Sequence, residues 1–408
     1  MKKTLISLAT ASLIASTAMA ADKGIDLDVS GQAVVYYQTT DTVDFFSQDS
    51  SKANVGLQLN IDGALGNGFT MGSQISYLGT AGLEKNLVSN VMQSTNGVAG
   101  AVTQGGIDDN FAVTKFFVAK QIANTTLKIG RQELPKSLSP LAFSEGWNVF
   151  KNTFDAILAV NTDIPDTTVV AAWVGSSNNH NSMGTFDGLQ VTTPATLVGT
   201  VVQNDGAYML TVANKSIPMV ALTASYYHMS KVAGGTDAMW LDAKIADKSL
   251  PMGLNVGIQA GTISPDALDE TTAFGIKVGA KPIDALKVCA AFTSVDDGAV
   301  AIKNVGTGTK TPLYTQMVVN QDSISLDADT IMLSGAYSLG DAGTVILRGS
   351  QTTAGAGNLK GENDFTDLEL LYKVKAGGVN FLAALVNKEL DDGSDAVNIV
   401  RVVARYNF

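Results

Sequence analysis

Residues 398–408 read NIVRVVARYNF, and the alternation of side-chain character in this stretch decides the fold. Successive side chains of a β-strand point to opposite faces of its sheet. One face of this stretch is apolar or aromatic and consists of Val400, Val402, Ala404, Tyr406 and Phe408. The other face carries Arg401, Arg405 and Asn407. The stretch therefore predicts a strand with one apolar and one polar face, closing on an aromatic residue.

The same period of two recurs along the chain. Leu57 and Leu59, for example, interleave with Gln58 and Asn60. Applied throughout, this pattern predicts an all-β chain, because it is the signature of strands that bury or shield one face. It gives 18 candidate strands: 25–40, 52–62, 68–80, 110–120, 124–132, 152–161, 166–175, 207–214, 219–229, 237–245, 253–262, 271–280, 284–294, 326–338, 343–351, 365–375, 378–388 and 396–408.

The connections between these strands alternate in length. Every odd connection is a loop, and the longest loops span 81–109, 133–151, 176–206 and 295–325, whereas every even connection is short. Outer-membrane barrels have an even number of antiparallel strands, with short turns at one end and long loops at the other. A soluble sandwich would not sort its loops in this way. The pattern predicts a transmembrane antiparallel β-barrel of 18 strands.

The N-terminus and the composition agree with an exported barrel. Lys2 and Lys3, the apolar stretch 5–13 and the small residues 18–20 predict a signal peptide at 1–20, which leaves 21–408 as one barrel domain. Hydrophobic residues make up 45% of the chain and charged residues only 16%. Cys289 is the single cysteine, so no internal disulfide is expected. Without the two lysines of the signal peptide the net charge is −13, which argues against nucleic acid as a partner.

The third loop (133–151) has a composition that is unusual for a solvated loop. It contains two prolines, three leucines, two phenylalanines and Trp147, enough apolar surface to pack against the barrel wall. We therefore expect it to pack against the barrel wall rather than to extend into solvent as a surface loop. The family resemblance of residues 128–156, described below, implies in addition that the loop folds into the pore and narrows it. Its acidic residues Glu133 and Glu145, together with Trp147 and the nearby Asp155, are the candidate constriction residues.

Strand parity also predicts a set of basic residues on the lumen side of the barrel wall. Seven basic residues fall on the non-apolar face of their strands and would line a water-filled lumen: Lys128, Lys277, Lys287, Arg348, Lys373, Arg401 and Arg405. Opposed acidic and basic sets across a pore create a transverse field that orients polar solutes. The alternative is that these seven basic residues are simply hydrated lumen residues at different depths and do not act as one set. Lys128 and Arg131 cannot both face inward by strict alternation, so one of them faces outward or a bulge intervenes.

Three segments carry a resemblance to a known family. Residues 128–134 (KIGRQEL), 140–147 (PLAFSEGW) and 152–156 (NTFDA) resemble the OprD-like porins and the major outer-membrane porins of Campylobacter-type bacteria. The resemblance implies an 18-stranded barrel, a third-loop constriction and passive uptake of small polar or charged nutrients. It also implies that Tyr406 and Phe408 form the barrel's assembly signal. The Campylobacter-type relatives make calcium near the constriction conceivable, with Glu133, Glu145 and Asp155 as candidate ligands; no other cofactor is expected.

These observations lead us to expect a porin in the outer membrane of a Gram-negative bacterium, open to small hydrophilic solutes and ions. The outer loops hold 22 acidic and 7 basic residues, a net charge of −15, which predicts a mild cation preference. Expected partners are outer-membrane lipid, lipopolysaccharide and the assembly machinery, and the expected oligomer is a homotrimer, although OprD-like barrels also work singly. Two alternatives remain: a substrate-specific OprD-like channel, and a structural or adhesin barrel that displays its long loops.

An enzyme is not expected. The only two histidines, His180 and His228, lie in a long loop and at a strand end, and neither belongs to a recognisable catalytic motif. A hydrolase would need a nucleophile with a positioned base, which this sequence does not offer.

Overall fold

The computed structural model describes residues 26–95, 110–194, 200–203, 205–231 and 234–408, so the predicted signal peptide lies outside the described residues. Within these residues a ring of 18 antiparallel strands closes into a barrel. In chain order, the barrel strands β1 to β18 are Asp26–Thr40, Ser51–Gly66, Phe69–Gly79, Asn110–Ile122, Thr125–Gln132, Phe154–Asn161, Thr167–Asn178, Ala207–Asn214, Val220–Met229, Thr236–Ala246, Asn255–Pro265, Thr271–Ile283, Leu286–Val295, Ala328–Ser338, Thr344–Ala354, Phe365–Ala376, Val379–Leu390 and Val397–Asn407.

The ring closes between its first and last strands. Each strand pairs with its neighbours in the chain, and β1 also pairs with β18 from Gln32↔Asn407 to Thr40↔Ile399. Beyond the last ladder pair, the Gly31 amide donates to the Phe408 carbonyl at 2.7 Å, and the Phe408 amide donates to the Gly31 carbonyl at 3.0 Å. The prediction of 18 strands is confirmed, and each predicted boundary lies within four residues of the observed one.

A few short elements decorate the barrel. A two-residue strand, Phe186–Asp187, pairs with the end of β7 outside the ring, and Leu189–Thr192 pairs with Thr200–Gln203. Among the described residues, the helical turns are three 3₁₀ segments, Leu83–Lys85, Pro251–Gly253 and Gly340–Ala342, and one α-helical turn, α1, at Gln321–Ile324. In the described part of the chain, no helix has both the length and the apolar character needed to cross a membrane.

Strand parity determines which side chains face the lumen. On β18 the Arg401 side chain points inward and the residue is 6% exposed, whereas its neighbour Val402 points outward and is 43% exposed. On β2 the inward Gln58 is buried between two outward leucines, Leu57 and Leu59. The outer surface of the ring is thus largely apolar, as expected of a barrel whose wall meets hydrocarbon.

Two loops fill one side of the lumen. The third loop, which the observed strand ends extend to 133–153, and the seventh loop (296–327) both fold inward and are largely buried. Leu141 of the third loop and Leu313 of the seventh belong to one apolar core with inward residues of the wall such as Leu158, Met209 and Trp240. The inward third loop was predicted from the sequence; the inward seventh loop was not.

Candidate channel lumen

Glu145 joins the two inward loops. The residue is only 4% exposed, and its carboxylate accepts hydrogen bonds from Trp147 Nε1 at 2.6 Å, from Asn304 Nδ2 at 2.7 Å and from the Lys310 amide at 2.9 Å. Two of these donors belong to the seventh loop. The predicted constriction acid is therefore a buried junction between the loops, rather than a charge exposed to passing ions.

Trp147 lies where this junction meets the open lumen. Besides its bond to Glu145, its ring lies 5.5 Å from Lys310 Nζ and 5.9 Å from the Arg401 guanidinium carbon. The ring centroid of His180, from the fourth long loop, lies 5.9 Å away on another side. Cations near the face of an indole are attracted by its ring electrons. Trp147 thus presents an aromatic surface flanked by two positive charges.

Glu133 is held by two lysines. Its carboxylate lies 3.0 Å from Lys115 Nζ and 2.8 Å from Lys151 Nζ. Burial by itself would raise the pKa of Glu133, but the two ammonium groups outweigh it and lower the pKa to about 2. Glu133 is therefore ionised and neutralised by its neighbours at ordinary pH.

Asp155 does not face the lumen, and its predicted place at the constriction was wrong. On β6 the inward residues are Phe154 and Leu158, whereas the outward Ile157 is 47% exposed and shares its face with Asp155. The carboxylate accepts a hydrogen bond from Arg131 Nε at 2.9 Å on the outside of the wall. Of the two basic residues that parity could not both place inward, Lys128 faces in and Arg131 faces out.

The proposed calcium ligands are consequently dispersed. Glu133 is paired with lysines, Glu145 is bonded between the loops, and Asp155 lies on the outer face. Within the described ranges, no group of three or more histidine, cysteine or acidic residues is placed to hold a metal ion. The three residues named from the sequence do not form one site.

The open side of the lumen is a cavity of about 990 Å³, the main cavity. It lies between the third loop at 146–148, the seventh loop at Lys310 and 316–318, and the inward faces of β15 to β18. Six basic residues and a single acidic one line it: Lys310, Arg348, Lys373, Lys375, Arg401, Arg405 and Asp341. Four of these basic residues belong to the wall predicted from parity.

Two of these wall arginines are fixed in place. Arg401 donates from Nε and Nη2 to Gln38 Oε1 at 3.0 and 2.9 Å. Arg405 donates from Nη2 to the Val149 carbonyl at 2.9 Å, and its other terminal nitrogen bonds to Gln32. The third loop is thereby attached to the last strand of the barrel, and both guanidinium groups border the main cavity.

The remaining predicted wall residues lie at different places around the ring. Arg348 lies 3.7 Å from the buried carboxylate of Glu369, while Lys277 Nζ lies 4.0 Å from the ring centroid of Tyr314 in the seventh loop. Lys287 has inward parity near the turn end of β13. Lys128 points inward on β5, but into a separate cavity on the other side of the third loop.

Two basic residues of the main cavity were missed. Lys375 follows Lys373 by two positions and shares its face, so the same parity argument would have found it. Lys310 lies in the seventh loop, where parity gives no information. Its ammonium donates to the Val318 carbonyl at 2.8 Å and to Gln321 Oε1 at 3.2 Å, and burial lowers its pKa to about 8.

Tyr406 and Phe408 lie on the outer face at the turn end of β18. Their rings stack with centroids 6.0 Å apart, and both residues are nearly half exposed. The Phe408 ring covers Gly31, where an added Cβ would lie 2.6 Å from a ring carbon. A side chain at position 31 would therefore displace the terminal phenylalanine from the closure of the barrel.

A closed ring of 18 strands with two inward loops and a basic lumen defines the architecture of a porin barrel. No protein-family model matches the sequence, and no curated protein matches it. Solved structures do match. OccAB4 of Acinetobacter baumannii superposes with a TM-score of 0.76 at 11% identity, over 94% of this chain and 98% of that one.

Two structures from Pseudomonas aeruginosa are similar to the same degree. OccK8 (OprE) gives a TM-score of 0.73 at 15% identity, covering 94% of this chain and 98% of the other. OpdK, solved with vanillate, gives 0.72 at 14% identity, covering 93% and 98%. These neighbours are outer-membrane porins of the OccK/OprD type, and this chain has their fold over nearly its whole length.

Proposed function

We propose that this chain is a passive outer-membrane channel whose lumen selects small anions. The observation that carries the proposal is the lining of the main cavity, where six basic side chains face one acidic residue. Positive groups in a narrow, low-dielectric passage concentrate anions and exclude cations. The closed apolar-walled barrel supports the membrane setting, and no catalytic role is proposed for it.

Small carboxylates are the solute class that we infer. A carboxylate pairs well with guanidinium groups, and Arg348, Arg401 and Arg405 all border the main cavity. Trp147 adds an apolar aromatic surface beside Arg401, suited to a solute with a hydrophobic part. The similar structure of OpdK was solved with vanillate, itself an aromatic carboxylate.

The mild cation preference expected from the acidic loops is the competing outcome. Most of the net loop charge belongs to the outer loops other than the third and the seventh, and salt screens exposed charges within about 10 Å at ordinary ionic strength. The basic groups line a cavity inside the barrel, where screening is weaker. We therefore expect the lumen to determine the sign of the selectivity.

Reversal potentials of the purified protein in planar bilayers test this proposal. In a potassium chloride gradient the sign of the potential should indicate preference for chloride, and an aromatic carboxylate should compete with chloride for passage. Preference for potassium would contradict the anion proposal. Absence of any channel from correctly folded, heat-modifiable protein would instead favour the structural or adhesin alternative.

We also propose, from the family resemblance, that the barrel assembles as a homotrimer among lipopolysaccharide and lipid, and that Tyr406 and Phe408 direct its insertion by the assembly machinery. The outward position of both aromatic rings at the turn end supports the second part. Native mass spectrometry of protein extracted in mild detergent measures the oligomer, and a single-barrel mass would contradict the trimer.

A further inference from the structure

A second cavity, of about 410 Å³, lies on the other side of the third loop. Its walls are that loop near Glu133 and Ser144 and the inward faces of β1, β2, β4 and β5. It shares no lining residue with the main cavity. The anion proposal made for the main cavity therefore does not explain it.

The charges around this second cavity are balanced. Lys115, Lys128 and Lys151 line it together with Asp28, Asp62 and Glu133. Glu133 already pairs with both Lys115 and Lys151, and these three groups together keep one net positive charge. Lys128 on one side and the two aspartates on the other remain.

Lys128 is a buried cation that forms no direct ion pair in the described part of the chain. The residue is 5% exposed, and its ammonium lies 3.7 Å from the ring centroid of Phe117. No hydrogen bond or ion pair of this ammonium occurs within the described part of the chain. An aromatic face compensates only part of the hydration that a buried ammonium loses, so the group favours an anion in the cavity.

Asp62 lines the same cavity as Lys128 and Phe117. The strand register aligns Asp28, Asp62, Gly72 and Phe117 in one row across β1 to β4. Gly72 has no side chain, and the Asp62 carboxylate and the Phe117 ring both lie over it; an added Cβ would be 2.5 Å from Asp62 Oδ1 and from the ring. The Phe117 ring thus lies next to both the Lys128 ammonium and the Asp62 side chain, and no ion pair joins these two charges among the described residues.

We propose that the second cavity binds a small amphoteric solute, whose carboxylate pairs with Lys128 and whose ammonium group pairs with Asp62. A simple anion would meet Asp62 and Asp28 as like charges, and a simple cation would meet Lys128 and Lys115. A molecule that carries both charges satisfies both sides. This site is separate from the anion-selective main cavity and goes beyond the function proposed for it.

Binding measurements on the purified, folded barrel test the proposal. Glycine and β-alanine are the amphoteric probes, and acetate and ethylammonium are their singly charged counterparts, all measured at neutral pH by calorimetry or saturation-transfer NMR. The wild-type protein should bind an amphoteric probe at least about tenfold more tightly than either counterpart, since each charged contact contributes separately. Acetate that binds as tightly as the amphoteric probes and loses this affinity in Lys128→Met, or no saturable binding of either amphoteric probe, would overturn the proposal.

Substitutions then assign the site. Lys128→Met and Asp62→Asn should each weaken binding of the amphoteric probe by about tenfold or more. Lys85→Met, which removes a basic group from an exposed turn outside both cavities, is the matched control and should leave this binding unchanged. Unchanged affinity in both site variants, or loss in the control, would contradict the assignment. If Lys128→Met does not fold, the ligand series on the wild-type protein and the Asp62→Asn variant still test the proposal.

The same variants keep the two proposals apart. Lys128→Met should leave the reversal potential at its wild-type value, because Lys128 does not line the main cavity. Chloride preference without amphoteric binding would refute only the second-cavity proposal. Amphoteric binding without chloride preference would refute only the anion proposal.

Discussion

The side chains that face the lumen differ between its two sides: they are mainly apolar on one side and include several charged residues on the other. Around β6 to β11 the inward residues are large and apolar, among them Leu158, Met209 and Trp240, and the two inward loops cover them. Around β15 to β18 the inward residues include Arg348, Lys373 and Arg401, and the main cavity is open in front of them. A side chain that points into the lumen is therefore not always in contact with water. Apolar inward residues mark where a loop packs, and charged ones line the open cavity.

Separating the two loops should produce the largest change. Glu145→Ala removes the acceptor that Trp147, Asn304 and the Lys310 amide share. We expect stability to fall by several kcal/mol, because each buried donor left unsatisfied costs about 1–3 kcal/mol. Single-channel conductance should rise as the seventh loop leaves the filled side. Glu362→Ala, in an exposed loop, is the control; equal conductance in the two variants would show that the junction does not hold the loops.

The outer and inner faces of β18, on the open side of the lumen, should respond differently to the same substitution. Val402 faces outward, whereas Val403 borders the main cavity. Val402→Arg should impair refolding into lipid vesicles, because an arginine on the lipid face costs about 2–4 kcal/mol near the bilayer midplane. Val403→Arg should assemble. Heat-modifiability on gels measures the folded fraction, and the reverse order of the two variants would invalidate the assigned register of β18.

Charge reversal in the main cavity tests what the basic wall does. Arg401→Glu changes the local charge by two units in the passage, so the preference for chloride should fall several-fold or reverse. Lys85→Glu makes the same change in an exposed turn of the second loop and should leave the reversal potential almost unaltered. Similar shifts in both variants would mean that long-range charge, rather than the wall, sets selectivity.

The smallest effect expected is a dependence on pH from Lys310. Burial lowers the pKa of this lysine to about 8, so its charge is present at lower pH and is lost as pH rises through that value. Chloride preference should therefore decline over this range in the wild-type protein. Lys310→Gln should show lower preference throughout and no decline. A decline of equal size in the variant would assign the titration to another group.

Much of the fold could be predicted because one face of a barrel strand contacts lipid and the other faces the lumen, so apolar and polar side chains alternate along it. The 18 strands and the inward third loop followed from that pattern and from the apolar content around Leu141 and Phe143. The seventh loop carried the same signal in Val300, Ile302 and Leu313, and the same test would have placed it inside.

The site was harder to predict, since alternation shows two faces but not which of them is inward. On β6 both faces are apolar, because loops cover the inside and the outside is also apolar, so nothing marked Asp155 as outward. A register shift between Asp155 and Ala156 further disturbs the count against β7. Glu145 looked like a pore charge because its partners, Asn304 and Lys310, are about 160 residues away in sequence.

The closure at Gly31 and Phe408 also bears on the rate at which the barrel folds. Every other pair of neighbouring barrel strands is joined by one connection and can form as a local hairpin. Only the β1–β18 ladder joins segments from the two extremes of the barrel sequence, such as Gln32 and Asn407. Non-local pairings form slowly, because the intervening chain must be ordered before they are gained. The seam is thus the expected rate-limiting step of folding, and an open sheet with two free edges is the species that a folding catalyst would have to hold.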